Sequence, residues 1–234
     1  MRRNKFRNLC NNGTISGKLK MKDIAIYGAR GFGREVACLI HIINKKTPQW
    51  NLIGFFDDDA KLKDTKNEYG KVIGGIEELN KYKQPLAIAI AIGSPKTVAK
   101  IVSNIHNKNI EFPNIVSPDI VYLDENNVSI GYGNIICTGC LLSCHVKIGN
   151  FNILNGFIPI GHDSVIGDYN SFMPNTKISG EVKIGNRNFF GVGSTVLQQI
   201  TIGNDTVVGA NSLVLRNTKD GMTYIGNPAK IMKY

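Results

Sequence analysis

Along residues 130–214 every sixth position carries a large apolar side chain: Ile130, Ile136, Leu142, Ile148, Leu154, Ile160, Ile166, Phe172, Ile178, Ile184, Phe190, Val196, Ile202, Val208 and Val214. Fifteen consecutive matches without a slip mark a repeat whose units bury their apolar face only against one another. A period of eighteen is nested in the period of six. Gly131, Gly149, Gly167, Gly185 and Gly203 each follow an isoleucine of the series, and Asn134, Asn152, Asn170 and Asn188 recur at the same spacing. Three hexads per turn predict a coil of triangular section with a short strand on each side. Five such coils follow, stacked at about 4.8 Å. The glycines are expected to supply unusual backbone angles at corners. The asparagines are expected to form a side-chain ladder along the axis.

The frame also aims side chains. Within a hexad the first residue and the small one four places later face inward, here Ile160 and Ser164, so His162 and Asp163 face out. One coil earlier the same two positions hold Cys144 and His145, and one coil later Gly180 and Glu181. The outer column therefore gathers two histidines and two carboxylates, a grouping suited to moving protons.

The first half has a different rhythm. Residues 24–27, "IAIY", read as a buried strand leading into Gly28-Ala29-Arg30-Gly31-Phe32-Gly33. Val36, Leu39, Ile40 and Ile43 then recur at helical spacing. Strand, glycine turn, helix is an arrangement in which backbone N–H groups receive phosphate, although the order GxxGxG differs from the dinucleotide fingerprint GxGxxG. A second strand, "LIGFF" at 52–56, ends at Asp57-Asp58-Asp59. Acids at that tip hold a ribose or base edge, or else form a solvated turn. A third run, Leu86–Ile92, precedes Gly93-Ser94-Pro95 and another helix. Three or four parallel strands in about 95 residues make half a dinucleotide fold, which suits a mononucleotide or nucleotide sugar better than NAD. The predicted organisation is a basic, disordered leader at 1–20, a Rossmann-like α/β domain with a small parallel sheet at 21–115, and a β-helix at 116–234.

Charge narrows the partners. The chain is formally +10, but residues 1–20 hold six basic residues and no acid, leaving +4 over 21–234. The excess thus belongs to the leader, and no nucleic-acid partner is expected of the folded part. No apolar run approaches the length that spans a bilayer, so no membrane partner is expected. Five cysteines with no mark of secretion imply reduced thiols and a cytoplasmic protein. Cys137, Cys140 and Cys144 resemble a metal cluster by spacing, but the frame sends them to a corner, the interior and the outer face, so no metal is expected.

Four stretches together, "YGARGFGREVA" (27–37), "GFFDDD" (54–59), "GHDSVIGDY" (161–169) and "IGNPAK" (225–230), resemble the hexapeptide-repeat sugar O- and N-acetyltransferases of bacterial surface-glycan pathways. The resemblance covers residues 21–234. It implies a left-handed parallel β-helix, a hand the spacing alone does not give. It also implies acetyl-CoA as co-substrate and a homotrimer with active sites between subunits. The implied acceptor is the amino group of a UDP-type 4-amino-4,6-dideoxy sugar, or alternatively a hydroxyl of sialic acid or another glycan sugar.

The same resemblance makes His162 the general base and Asp163 its carboxylate partner. It sets Gly28, Gly31, Phe32, Gly33, Asp57, Asp58 and Asn155 around the acceptor, and Ser171, Gly180, Val192, Ala210 and Lys230 around acetyl-CoA, with the Gly180 N–H as oxyanion donor. Phe32 and Ser171 stand where many members carry histidine. A thiol route through Cys144 is the alternative to direct transfer. A non-catalytic β-helix, a serine acetyltransferase and a dehydrogenase module are the rival classes. The outer column, the α/β first half and the altered glycine spacing oppose them in that order.

Overall fold

The computed structural model describes residues 21–232; the basic leader lies outside them. The first domain is a sheet with helices on both faces. Its elements are β1 (Lys22–Tyr27), α1 (Gly31–Lys46), β2 (Trp50–Phe56), β3 (Lys66–Asn67), β4 (Gly70–Gly74), α2 (Ile76–Asn80), β5 (Leu86–Ile90), α3 (Pro95–Asn104) and β6 (Ile110–Glu111). The strand order is β3-β4-β2-β1-β5-β6. All neighbours pair in parallel except the edge pair β3–β4. The expectation of three or four parallel strands is thus corrected to five. β4 and β6 escaped notice because "GKVIG" and "IE" are too short to show periodicity.

Alternation along β1 explains the layering. Ile24 and Ile26 pack with Val36, Leu39 and Ile40 of α1, whereas Ala25 and Tyr27 pack with Leu79 of α2 and Val98 and Ile101 of α3. The connections therefore change face between β1 and β5. That switch point leaves a crevice outside the carboxyl ends of the two strands.

The second domain is a left-handed parallel β-helix with three sides. Side 1 begins at Ile115–Val116 and continues through Ile135–Ile136, Ile153–Leu154, Ser171–Phe172, Phe189–Phe190, Val207–Val208 and Thr223–Ile225. Side 2 runs from Val121–Tyr122 through Pro159–Ile160 to Leu213–Val214, and side 3 from Ser129–Ile130 through Val165–Ile166 to Thr201–Ile202. Five complete coils and a partial sixth result. Only the third side of the first complete coil, at Ile130, joins the apolar series, because two extra residues between Tyr122 and Ser129 break the step of six.

Every member of the apolar series from Ile136 to Val214 is buried, and Phe172 and Phe190 stack at 4.6 Å between ring centroids. Full burial of each such side chain is worth about 1.5–3 kcal/mol. The asparagine ladder forms as expected: Asn152 Oδ1 accepts from the Asn170 backbone N–H (2.9 Å) and side-chain amide (3.0 Å), and Asn170 repeats this toward Asn188. A second ladder, through Asn150, Asp168, Asn186, Asn204 and Asp220, was not anticipated.

The expected role of the periodic glycines is corrected. Gly131, Gly149, Gly167, Gly185 and Gly203 are not the left-handed residues; those are mostly non-glycine, including His145, Asp163, Glu181, Phe151, Tyr169 and Arg187. The glycines answer to space instead. A Cβ on Gly149 or Gly185 would come within 2.7 Å of the carbonyl oxygen of the next glycine in the column. The coils touch there backbone to backbone.

The domains share a core. Ile115, Ile135 and Ile153 of side 1 pack with Ile24, Val36 and Ile40 of the first domain. Side 1 is the covered side, and the vertex between sides 2 and 3 lies opposite it.

Candidate active site

His162 stands on that opposite vertex. Ile160 and Ser164 are both fully buried, and the Ser164 hydroxyl donates to the Ser179 carbonyl at 3.1 Å. Anchoring both flanks leaves the two residues between them outside. Asp163 is left-handed (φ 58°), as are His145, Glu181 and Gln199 in its column. The backbone locks the register: the Asp163 N–H donates to the Cys144 carbonyl (2.9 Å) and the Glu181 N–H to the His162 carbonyl (2.7 Å).

The side chains of His162 and Asp163 are 58% and 54% exposed, and His162 Nδ1 lies 2.8 Å from Asp163 Oδ2. An ionised carboxylate at that distance accepts a hydrogen bond from Nδ1–H, which fixes the tautomer with the lone pair on Nε2. Nε2 lies over Gly180, where a Cβ would come within 2.5 Å of it. Among the described residues the Gly180 N–H meets no acceptor. A basic nitrogen and a free N–H donor thus sit side by side on one solvent-facing vertex. Two grooves flank Asp163, one of 330 Å³ beside Glu181, Lys183, Gln199 and Thr201, the other of 370 Å³ beside His145, Lys147 and Val165. Gln199 lies outside the sequence reading, yet its side-chain amide stands 3.3 Å from both Glu181 carboxylate oxygens. Extending the column one coil further would have found it.

The other expected site residues fall elsewhere on the chain. Val192 and Ala210 occupy one exposed column at the vertex between sides 1 and 2, with Asn155 half-buried where that vertex begins. Lys230 is exposed on the hairpin strand Lys230–Ile231, paired with Thr223–Ile225. Ser171 is 1% exposed, in the side 1 column between Ile153 and Phe189, so its hydroxyl presents no surface within the chain.

The glycine turn lies at the switch-point crevice. Gly28 (φ 107°) has no room for a Cβ, which would come within 2.6 Å of the Ala91 carbonyl oxygen, and one on Gly33 would strike the Gly28 carbonyl. A Cβ on Gly31 would meet nothing within 4 Å. Phe32 is half-buried and packs on the core shared with side 1. Asp57 braces the turn, with Oδ2 accepting from the Ala29 N–H and Oδ1 from the Asp59 N–H, both at 2.9 Å. Asp58 Oδ1 accepts from the Ile76 N–H at the start of α2 (2.8 Å). Neither aspartate is the free solvated turn residue that the sequence allowed. Beside the loop after β5, a 410 Å³ cavity separates Gly93, Ser94 and Lys96 from Phe189 and the paired Arg187 and Asp205.

The cysteines diverge as the frame requires: Cys140 is buried, Cys137 half-buried, and Cys144 shares the His162 vertex. Burial pushes the Cys137 thiol up to about 12 and the Cys140 thiol to about 11. Among the described residues no three His, Cys, Asp or Glu side chains converge as a metal site, and no helix is long and apolar enough to cross a membrane.

Fold and vertex together define a class, a hexapeptide-repeat β-helix that carries a solvent-facing histidine–aspartate pair behind an α/β domain with a glycine turn. A family model described as the PglD N-terminal domain matches residues 23–105. WeeI from Acinetobacter baumannii AYE is 30% identical with a TM-score of 0.80, over 91% of this chain and all of that one. The acetyltransferase domain of PglB from Neisseria gonorrhoeae FA1090 is 25% identical with a TM-score of 0.82, over 90% of this chain and all of that one. PerB from Caulobacter crescentus, solved with CoA and GDP-perosamine, is 26% identical with a TM-score of 0.81, over 90% of this chain and 97% of that one. No curated protein sequence matches the chain. The chain belongs to the hexapeptide-repeat sugar acetyltransferase family.

Proposed function

We propose that this enzyme transfers the acetyl group of acetyl-CoA directly to the amino group of a nucleotide-linked 4-amino-4,6-dideoxy sugar, with His162 as general base. The observation that carries the reading is the dyad itself: Nδ1 is bound to Asp163 at 2.8 Å, and Nε2 is turned outward beside the Gly180 N–H. His162 Nε2 takes the proton of the attacking amine and Asp163 stabilises the resulting imidazolium; the C–N bond forms, the thioester C–S bond breaks, and CoA leaves as a thiolate that takes up that proton. The Gly180 N–H receives the charge that develops on the thioester carbonyl oxygen. The alternative acetyl-cysteine route would run through Cys144, which shares the His162 vertex; Cys137 and Cys140 lie buried or half-buried away from it. PerB, crystallised with CoA and GDP-perosamine, supports both an acetyl-CoA donor and a nucleotide amino-sugar acceptor.

The active unit is a homotrimer. Side 1 is covered by the first domain and His162 stands at the opposite vertex, so the coil separates a chain's own glycine turn from its own base. A neighbouring chain bridges that gap, and side 2 suits the contact. Val121, Leu123, Leu197 and Leu215 are exposed along it beside Lys177, whereas side 3 presents Lys147, Lys183 and Thr201 around Val165. Rows of unpaired apolar side chains mark an interaction surface. Asn155 then lines the acceptor pocket, Val192 and Ala210 flank pantetheine, and Lys230 meets the CoA phosphates. The enzyme works in the cytoplasm, where its free thiols stay reduced.

The test is thiol release from acetyl-CoA against UDP-, dTDP- and GDP-linked 4-amino sugars and free sialic acid. His162→Ala is expected to lose about 10²–10⁴ in rate. Release by the variant at the wild-type rate removes the base, and release with sialic acid alone moves the acceptor to oxygen. A monomer in sedimentation at working concentration removes the trimer.

A further inference from the structure

The run Asp57-Asp58-Asp59 ends β2 beside the glycine turn, where a nucleotide sugar would bring a diphosphate. Like charges at that distance repel, so three carboxylates make a poor neighbour for a dianion unless each is engaged. Asp57 accepts two backbone N–H groups and Asp58 one. Asp59 Oδ1 takes the Lys61 N–H at 3.0 Å, and its Oδ2 takes Arg30 Nη2 at 2.7 Å.

Arg30 is the only cation in the turn Gly28–Gly33 and the residue immediately before α1. Its side chain is 77% exposed, with one nitrogen committed to Asp59, so further guanidinium N–H donors remain free. The ground beside it is open, because a Cβ on Gly31 would meet no atom within 4 Å. Lys63, a second cation near the acidic run, is already committed to Glu78 at 2.8 Å. A planar guanidinium steadied on one edge and free on the other suits two-pronged recognition of phosphate oxygens.

We propose that Arg30, steadied by Asp59, reads the diphosphate of the nucleotide-sugar substrate and sets the preference for a nucleotide-linked over a free sugar. This rests on the nucleotide-sugar reading given above. The acidic run thereby acquires a purpose other than ribose binding: Asp57 shapes the turn and Asp59 aims its one cation.

Calorimetric titration of the full chain with UDP, GDP and dTDP, and with the corresponding nucleosides, tests this. Arg30→Gln is expected to weaken nucleoside diphosphate binding at least tenfold while leaving nucleoside binding unchanged, and Arg30→Lys to recover part of the loss. Arg34→Gln removes the same charge one turn along α1 and is expected to bind within twofold of wild type. Asp59→Asn keeps Arg30 but releases its guanidinium, so it is expected to weaken diphosphate binding by less than Arg30→Gln does. Wild-type affinity in Arg30→Gln overturns the proposal while sparing the nucleotide-sugar reading. So does an equal loss in Arg34→Gln, which would assign the effect to general charge. A wild-type chain that binds none of the three diphosphates removes the nucleotide-sugar reading itself.

Discussion

The imidazole of His162 lies over the α-carbon of Gly180, one coil further along, so that a methyl group on residue 180 would sit 2.5 Å from Nε2 and 2.7 Å from Cε1. Glycine at 180 therefore does two things. It leaves the ring its place, and it leaves the backbone N–H beside the ring open. Gly180→Ala is expected to displace the ring from Asp163 and lower kcat about 10–10²-fold, a part of what loss of a general base costs. The vertex is exposed, so the melting temperature should hardly move. Steady-state thiol release alongside a thermal melt separates the two effects; an alanine variant with wild-type kcat shows that the ring can sit elsewhere.

Asp163 Oδ2 holds the imidazole through Nδ1 at 2.8 Å. Asp163→Asn keeps the shape but allows the amide to present N–H to Nδ1, favouring the wrong tautomer. The expected loss is about 10-fold or more in kcat with little change in KM for acetyl-CoA, read from the same assay. An equal loss in His162→Ala and in the double variant would show that the two act as one unit.

The asparagine ladder is expected to dominate the mechanical stability of the coil. Asn170 is fully buried; it donates to Asn152 Oδ1 and to the Gly185 carbonyl, and accepts from the Asn188 backbone and side chain. Asn170→Ala strands several of these groups away from water, each costing about 1–3 kcal/mol. Chemical denaturation should show a loss of at least about 2 kcal/mol, against about 0.5 kcal/mol or less for exposed Lys183→Ala on the same coil.

Thiol reactivity should follow burial. Iodoacetamide at pH 8 is expected to label Cys38 and Cys144 in the native protein. Cys137 and Cys140, pushed up to about 12 and about 11 by burial, should react only after denaturation. Peptide mass spectrometry reads this directly, and native labelling of Cys140 would contradict its place inside the coil.

Glu78 ties stability of the first domain to acid pH. Its carboxyl accepts from Lys63 Nζ (2.8 Å) and from the Gly75 N–H (2.9 Å), and these contacts, the Lys63 bond foremost, hold it down at about 2 from an ordinary 4.5. A depressed folded value contributes its full stabilisation above about 4.5 and loses it as pH falls toward about 2. Thermal melts across that window should decline more steeply for wild type than for Glu78→Gln, which keeps an acceptor but cannot titrate. Parallel declines would mean that the contact is absent in solution.

The β-helix was legible because its period is local: each hexad carries its own inward residue, and fifteen in phase leave one way to stack. His162 could be aimed at solvent for the same reason, since Ile160 and Ser164 flank it within a single hexad. The six-residue series starts only at Ile130, on the third side of the first coil, because two inserted residues break the step there, although the strands of that coil pair with the next coil as the others do. The periodic glycines were noticed but misexplained. Their cause is a carbonyl eighteen residues away, and the chain shows spacing without showing what presses on it.

What the sequence determined alone, then, is everything carried by short-range period: the triangular coil, its inward and outward faces, the outward dyad, the asparagine column and the glycine turn after a buried strand. Tertiary structure alone decided which side of the coil the first domain covers, that the imidazole folds over Gly180, and that Asp57, just past β2, braces the turn from 28 residues away. The division has a physical reason. Burial pattern repeats along the chain, whereas a hydrogen bond or a close approach between distant segments depends on angles and distances that no local pattern encodes.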